Sequence, residues 1–179
     1  ITRDCNGTPM APGREIANKT IGVIGLGAIG QRTAKLAQAF GCKVIAWNRS
    51  PKKIEGITIV DKETLFKESD IISTHIALNE ETRDFITAKE IELMKSSAII
   101  VNAARGPIIN TSDLAQALKN GRIAGAALDI YDTEPPLKGD NPILTAPNTM
   151  LLPHIGFATK EAFELRLGIV VKNVEKFAK

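Results

Sequence analysis

The chain has 179 residues, of which 44% are hydrophobic and 24% charged, a composition typical of one globular domain with a sizeable core. Its formal net charge is 23 − 20 = +3, which is too small to indicate nucleic acid or a membrane surface as a partner. No apolar run approaches the ~20 residues of a membrane-spanning helix, and Cys5 and Cys42 lack metal-ligand spacing, so we expect a cytoplasmic protein with reduced cysteines and no metal.

Residues 1–18 are polar and carry the turn-forming pairs Asn6–Gly7 and Pro12–Gly13. Such clusters predict an irregular linker or hinge arm rather than a packed element. The chain opens on Ile1 instead of Met. A fragment or a processed product is therefore one interpretation of this sequence.

The most informative stretch follows this arm. The apolar run 20–24 leads into Gly25-Leu-Gly-Ala-Ile-Gly30, and a helical pattern begins at once. A strand, a glycine turn and a helix N-terminus in this order form a dinucleotide-binding fingerprint. Gly25 would allow the tight turn, Gly27 would let a pyrophosphate approach the backbone, and Gly30 would let helix and strand pack closely. The alternative is a glycine-rich turn that binds no ligand.

Short β-rich runs alternate with helical stretches over residues 19–157, which predicts an α/β fold with a doubly wound, Rossmann-like parallel sheet. The predicted strands are 20–24, 44–47, 58–60, 70–74, 98–102, 125–129 and 150–152. The predicted helices are 29–40, a short one through Leu65 and Phe66, 87–94, one that begins at Thr111 or Ser112, and a last one from about Thr159. The proline-rich segment 135–147 predicts a long loop, which in a compact domain is usually functional or disordered.

Two of these helices carry further signals. Thr87 is followed three residues later by Glu90, which predicts a capping box. The last helix, over 158–179, has Phe163, Leu167, Val170, Val174 and Phe177 on one stripe. Such a stripe predicts packing in a core or an interface.

The residue after the second strand is the place where an acid normally holds the adenosine ribose of NAD. Here it is Asn48, followed by Arg49 and Ser50. An amide would not repel a 2′-phosphate, and Arg49 has the planar fork that grips one, with Ser50 and a lysine as added donors. The sequence therefore favours NADP over NAD. A solvated turn around Arg49 is the alternative.

Three ionisable residues follow the ends of predicted strands, where ligands of open parallel sheets bind. They are Arg105, Glu134 and His154. Arginine holds carboxylates bidentately, and a histidine beside a carboxylate is a usual proton donor near neutral pH. Together they suggest reduction of a 2-keto acid, although each residue taken alone also suits an ordinary surface position.

Several segments resemble, in the same order, the successive signatures of the D-isomer-specific 2-hydroxyacid dehydrogenases, and the resemblance covers nearly the whole chain from about Gly13. These segments are the glycine turn, His75–Arg83, Asn102–Ile109, Gly125–Pro135 and Leu152–Gly156. The resemblance implies that Arg105 binds the substrate carboxylate and keto oxygen. It also implies that His154 exchanges a proton with that oxygen and that Glu134 keeps His154 protonated.

The same resemblance implies a cofactor site. Asp129 would meet the nicotinamide carboxamide, and His75 would be a wall of the site rather than a catalyst. The other residues implied at the site are Ala28, Ile29, Ile76, Ala77, Thr82, Ala103, Ala104, Arg105, His154 and Gly156. Asn48 departs from the acid that is usual in the family, and Ala77 replaces a frequent proline.

Members of the family also carry a smaller substrate domain, which we expect to be absent here, with the last helix returning toward it. The resemblance implies an NAD(P)-dependent oxidoreductase for small 2-keto or 2-hydroxy acids, such as a hydroxypyruvate or glyoxylate reductase or a phosphoglycerate dehydrogenase, and a homodimer. The alternative is a dinucleotide-sensing protein, since corepressors of the same family exist. Transfer from S-adenosylmethionine fits the glycine spacing poorly.

Overall fold

The computed structural model describes Thr2–Arg3, Pro9–Met10 and residues 13–50 and 52–178. Cys5, Asn6–Gly7 and Pro12 of the predicted arm lie outside the described residues. Within the arm, β1 (Thr2–Arg3) pairs antiparallel with β2 (Pro9–Met10), a pairing that the expectation of an irregular linker did not include.

Seven parallel strands form the central sheet, and this confirms the predicted fold class. The strands are β3 (Thr20–Ile24), β4 (Lys43–Trp47), β5 (Thr58–Ile59), β6 (Ile71–Thr74), β7 (Ile99–Asn102), β8 (Gly125–Leu128) and β9 (Thr149–Leu151). Their order in space is β5-β4-β3-β6-β7-β8-β9, and every neighbouring pair is parallel. The order reverses between β3 and β6, so a crevice is expected beyond the carboxyl ends of these two strands.

Within the described residues, five α-helices connect or follow these strands: α1 (Ala28–Ala39), α2 (Lys62–Glu68), α3 (Ala88–Ile91), α4 (Thr111–Lys119) and α5 (Lys160–Phe177). The capping box of Thr87 and Glu90 is confirmed at α3, and the Thr159 side chain caps α5. The predicted cap of α4 is wrong. Asn110, not Thr111 or Ser112, accepts the hydrogen bond from the Asp113 N–H, because Asn110 keeps extended backbone angles while Thr111 is already helical.

The core consists of two clusters on opposite faces of the sheet. Along β3, Ile21 and Val23 belong to the smaller cluster and Ile24 belongs to the larger one. Side chains alternate between the two faces of a strand, so β3 is covered on both sides. This burial fixes the positions of the loops that follow the strands, and the candidate site lies in those loops.

Helix α5 has no buried residue. Its predicted stripe is exposed, from 54% at Phe163 to 95% at Phe177. The stripe therefore does not pack into the core of the described residues, and interface packing stays a prediction. Among the described residues, no helix has the length and apolar character needed to cross a bilayer.

Candidate functional site

The glycine turn lies at the carboxyl end of β3. Gly25 has a φ of +96°, a conformation that side chains disfavour, and a Cβ on Gly30 would lie 2.0 Å from the Gly25 carbonyl oxygen. Helix α1 begins directly afterwards with Gly27 as its N-cap, and no side chain caps it. A Cβ on Gly27 would have no neighbour within 4 Å. Open space therefore lies in front of uncapped helix N–H groups, an arrangement that fits a pyrophosphate.

Two clefts meet at the crevice between β3 and β6, and both are lined by His75, Ile76 and Ala77. The first has a volume of about 430 Å³ and the second about 380 Å³. The first is also lined by predicted site residues Gly25, Gly27, Asn48, Arg49, Ser50 and Thr82, and the second by Ile29, Ala103, Ala104 and Arg105. Of the other residues in the turn, Ala28 is the first residue of α1, and Gly30 packs against the turn.

The sequence did not identify several further residues of the first cleft. Trp47 and Phe85 form an aromatic wall, with ring centroids 4.8 Å apart, and Asn79 and Glu81 also line the cleft. Trp47 ends β4 and so had a positional signal, since the last residue of a strand at this edge faces the crevice. Phe85 and Glu81 belong to the loop after β6, where no hydrophobic period indicates which side chains turn inward.

Asn48 holds the glycine turn. Its Oδ1 accepts from the Leu26 N–H at 2.9 Å, and its Nδ2 donates to the Ser50 carbonyl oxygen at 2.8 Å. A carboxylate has no hydrogen to donate, so only the amide makes both bonds. Lys52 also contacts the turn, with its Nζ 2.7 Å from the Leu26 carbonyl oxygen. The amide at this position thus has a structural role that the sequence did not reveal.

His75 lines both clefts. Its Nε2 lies 2.9 Å from Ser73 Oγ, and burial lowers the pKa of the imidazole. The role of His75 as a wall of the cofactor site stays a prediction.

This burial predicts how stability depends on pH. In the unfolded chain His75 gains a proton near its usual pKa of about 6.5, whereas the folded protein gains it only at lower pH. The free energy of unfolding should therefore fall as the pH drops below about 6.5 towards the folded-state pKa. His75→Gln should remove that component of the pH dependence, as measured by denaturant unfolding at several pH values. An unchanged pH dependence in this variant would contradict the assignment.

Arg105 lies on a turn that Asn102 organises. The buried Asn102 side chain accepts from Thr74 Oγ1 at 2.7 Å and from the Ala104 N–H at 3.1 Å, and it donates to the Arg105 carbonyl oxygen at 3.0 Å. The Arg105 side chain remains exposed in the second cleft, as the binding of a substrate carboxylate would require.

Glu134 and His154 meet at the carboxyl end of the sheet. His154 Nδ1 lies 3.0 Å from both Glu134 carboxylate oxygens. Because a carboxylate only accepts hydrogen bonds, Nδ1 carries the hydrogen in this contact. His154 has a φ of +59°, a left-handed conformation that is unusual for a residue with a side chain.

Asp129 explains how this conformation is held. Its Oδ1 accepts from the Ile155 N–H at 2.8 Å and its Oδ2 from the Gly156 N–H at 2.7 Å. A Cβ on Gly156 would lie 2.7 Å from Oδ2, so the close approach favours glycine there. Asp129 thus positions the His154 loop, and its contact with a carboxamide stays a prediction.

Replacing Asp129 with alanine should cost ~1–3 kcal/mol of unfolding free energy, because the Ile155 and Gly156 N–H groups lose two part-buried hydrogen bonds to a carboxylate. Denaturant unfolding measures this loss. Asp140→Ala is a suitable control, since Asp140 is an exposed aspartate in the proline-rich loop. Equal stabilities of the two variants would contradict the positioning role.

In the described part of the chain, no group of three or more His, Cys, Asp or Glu side chains is placed to hold a metal ion.

Comparisons with known proteins identify the family. Residues 3–156 match the model of the D-isomer specific 2-hydroxyacid dehydrogenase, NAD binding domain. A glyoxylate reductase of Thermococcus litoralis is 45% identical over 174 residues, which are 95% of this chain and 52% of that protein. The chain thus spans about half the length of this relative.

Solved structures show the same likeness. An acyclic imino acid reductase in complex with NADPH and D-Arg has a TM-score of 0.83 and 41% identity, covering 92% of this chain and 52% of that one. A D-isomer specific 2-hydroxyacid dehydrogenase from Lactobacillus delbrueckii ssp. bulgaricus, in its NAD-complexed form, has a TM-score of 0.85 and 32% identity, covering 98% and 59%. With the family match over residues 3–156, these findings show that the chain belongs to the D-isomer-specific 2-hydroxyacid dehydrogenases.

Proposed function

We propose that the whole protein is an NAD(P)-dependent oxidoreductase that interconverts small 2-keto and 2-hydroxy acids. The observation that carries this proposal is the contact of His154 Nδ1 with Glu134, at 3.0 Å, at the same end of the sheet as the crevice of the glycine turn. A histidine with one nitrogen held by a carboxylate is suited to general acid–base catalysis.

Each residue then has a defined task. Arg105 binds the substrate carboxylate with its guanidinium and polarises the neighbouring keto oxygen. His154 donates a proton from Nε2 to that oxygen during reduction and takes it back during oxidation, while Glu134 holds the ring and compensates its charge. Gly27 and the N-terminus of α1 would hold the pyrophosphate of a dinucleotide, which when bound would supply the hydride.

The first test is whether the whole protein reduces hydroxypyruvate or glyoxylate, with the reaction monitored through the oxidation of NADPH or NADH. Turnover of at least one 2-keto acid is expected. Tight cofactor binding without turnover of any 2-keto acid would contradict the enzyme assignment and leave a dinucleotide sensor, which no specific feature of the site favours.

For the cofactor, we propose a preference for NADP over NAD. Support comes from Asn48, which brings no negative charge to the end of β4, and from Arg49, which lines the first cleft beside it. Thermal-shift titrations with the two dinucleotides at equal concentration test this preference, because tighter binding gives the larger stabilisation. A larger shift with NAD would contradict it.

We also propose a domain arrangement in which 1–18 is a hinge arm, 19–157 binds the dinucleotide and the helix of 158–179 packs against a separate substrate domain. The exposed apolar stripe of α5 supports this arrangement.

We propose further that the protein is a cytoplasmic homodimer. The dimer is supported by the edge strand β9, whose Met150 is 63% exposed. The buried Cys42 thiol donates to the Ile16 carbonyl oxygen, and a free thiol suits a reducing compartment. Light scattering and cell fractionation test these two points.

A further inference from the structure

An ion pair spans the mouth of the first cleft. Arg49 follows β4 on one wall, and Glu81 belongs to the loop after β6 on the other wall. The Arg49 guanidinium lies 3.1 Å from a Glu81 carboxylate oxygen, and their side chains are 70% and 72% exposed. The pair is therefore open to solvent and to a ligand that enters the cleft.

We propose that Glu81 is a specificity-determining residue that restrains binding of a 2′-phosphorylated dinucleotide by competing for Arg49. The inference rests on the proposed function, because it assumes that the adenosine end of the dinucleotide lies in the first cleft. Arg49 binds the 2′-phosphate, and Glu81 limits how much more tightly the phosphorylated dinucleotide binds than the unphosphorylated one.

The arrangement of charges supports this role. The acid that normally stands at the end of the second strand of such a sheet is replaced by Asn48, whose oxygen is already bound to the Leu26 N–H. Lys52 is bound to the carbonyl oxygen of the same residue. Arg49 is thus the cation held across the cleft, and Glu81 supplies the carboxylate from the opposite wall.

A 2′-phosphate that binds Arg49 must replace Glu81 or share the guanidinium with it. In both cases a phosphate with nearly two negative charges comes close to a carboxylate. The pair itself is exposed, so breaking it costs little, and the repulsion is screened by water and salt. We therefore expect Glu81 to weaken binding of the phosphorylated ligand by ~3–10-fold at low salt.

The test uses 2′-phospho-ADP-ribose and ADP-ribose, which differ only in the 2′-phosphate and report binding without hydride transfer. Calorimetry measures both dissociation constants for the wild type, Glu81→Gln and Glu80→Gln. Glu80 is exposed, does not line the first cleft and loses the same charge, so it is a matched control. Because both side chains are exposed, neither substitution should affect folding.

Glu81→Gln should tighten the binding of 2′-phospho-ADP-ribose by ~3–10-fold and change the dissociation constant of ADP-ribose by less than about twofold. Glu80→Gln should change both dissociation constants by less than about twofold. The gain should shrink at high salt and in the Arg49→Gln background. If the ratio of the two dissociation constants is the same in the wild type and in Glu81→Gln, the role of Glu81 is wrong, but the dinucleotide site is not affected. Absence of ADP-ribose binding in every variant would instead contradict the dinucleotide site, and the inference with it.

Discussion

His154→Asn should lower kcat for reduction of hydroxypyruvate by ~10²–10⁴-fold, the usual contribution of a general acid. Asparagine tolerates the left-handed backbone of this position, so the loop should keep its shape. The side chain no longer offers a protonated nitrogen to the keto oxygen. Steady-state kinetics with the whole protein measure the loss.

The dissociation constant of the dinucleotide should change much less than kcat in this variant, because other residues line the two clefts. Glu134→Gln is the companion variant, since it keeps a side chain of the same size beside Nδ1 but removes the charge. We expect a smaller loss of kcat there. Wild-type kcat in His154→Asn would refute the role of His154 as the acid.

Two glycine substitutions should separate folding from cofactor binding. A Cβ on Gly30 would lie 2.0 Å from a backbone oxygen, so Gly30→Ala should cost ~1–3 kcal/mol of unfolding free energy. Gly27 has a φ of −68° and no neighbour within 4 Å of a Cβ, so Gly27→Ala should leave the stability of the free protein nearly unchanged. The new methyl group would instead occupy the space proposed for the pyrophosphate.

Dinucleotide binding by Gly27→Ala should therefore weaken by about tenfold or more, or ~1.4 kcal/mol. Denaturant unfolding and calorimetry on the same preparations measure the two effects. Normal binding in Gly27→Ala would contradict the position proposed for the pyrophosphate. Normal stability in Gly30→Ala would contradict the close contact between helix and strand.

The sequence was most informative where local chemistry dictates backbone geometry. The order of strand, glycine turn and helix around Gly25 predicted the first βαβ unit, and alternating apolar runs predicted the parallel sheet, which the structure confirms. The carboxyl ends of neighbouring parallel strands lie at one edge, so Arg105, Glu134 and His154 were expected to share a side of the molecule.

Contacts between segments far apart in sequence were not predictable in the same way. Asn48 suggested the choice of dinucleotide, but its bonds to Leu26 and Ser50 depend on how the turn folds back over β4. Asp129 holds a loop 26 residues further along the chain. No periodic pattern in the sequence marks either side chain. Their ability to form hydrogen bonds does not indicate which partner they bind.

The stripe on α5 shows a different limit. Its spacing predicted correctly an apolar face on a helix, but spacing does not say what covers that face. In the described residues this face is exposed, and no residue of α5 belongs to the larger core cluster. This is why the packing partner of α5 remains a proposal.

The most direct test of the account is transfer of deuterium. The whole protein is incubated with hydroxypyruvate and reduced dinucleotide that carries deuterium at the reactive position of the nicotinamide ring, and the hydroxy acid product is analysed by mass spectrometry. We expect one deuterium on carbon 2 of the product, and a much smaller amount of this labelled product from His154→Asn. A hydroxy acid without deuterium, from each of the two stereospecifically labelled cofactors, would contradict hydride transfer by this protein.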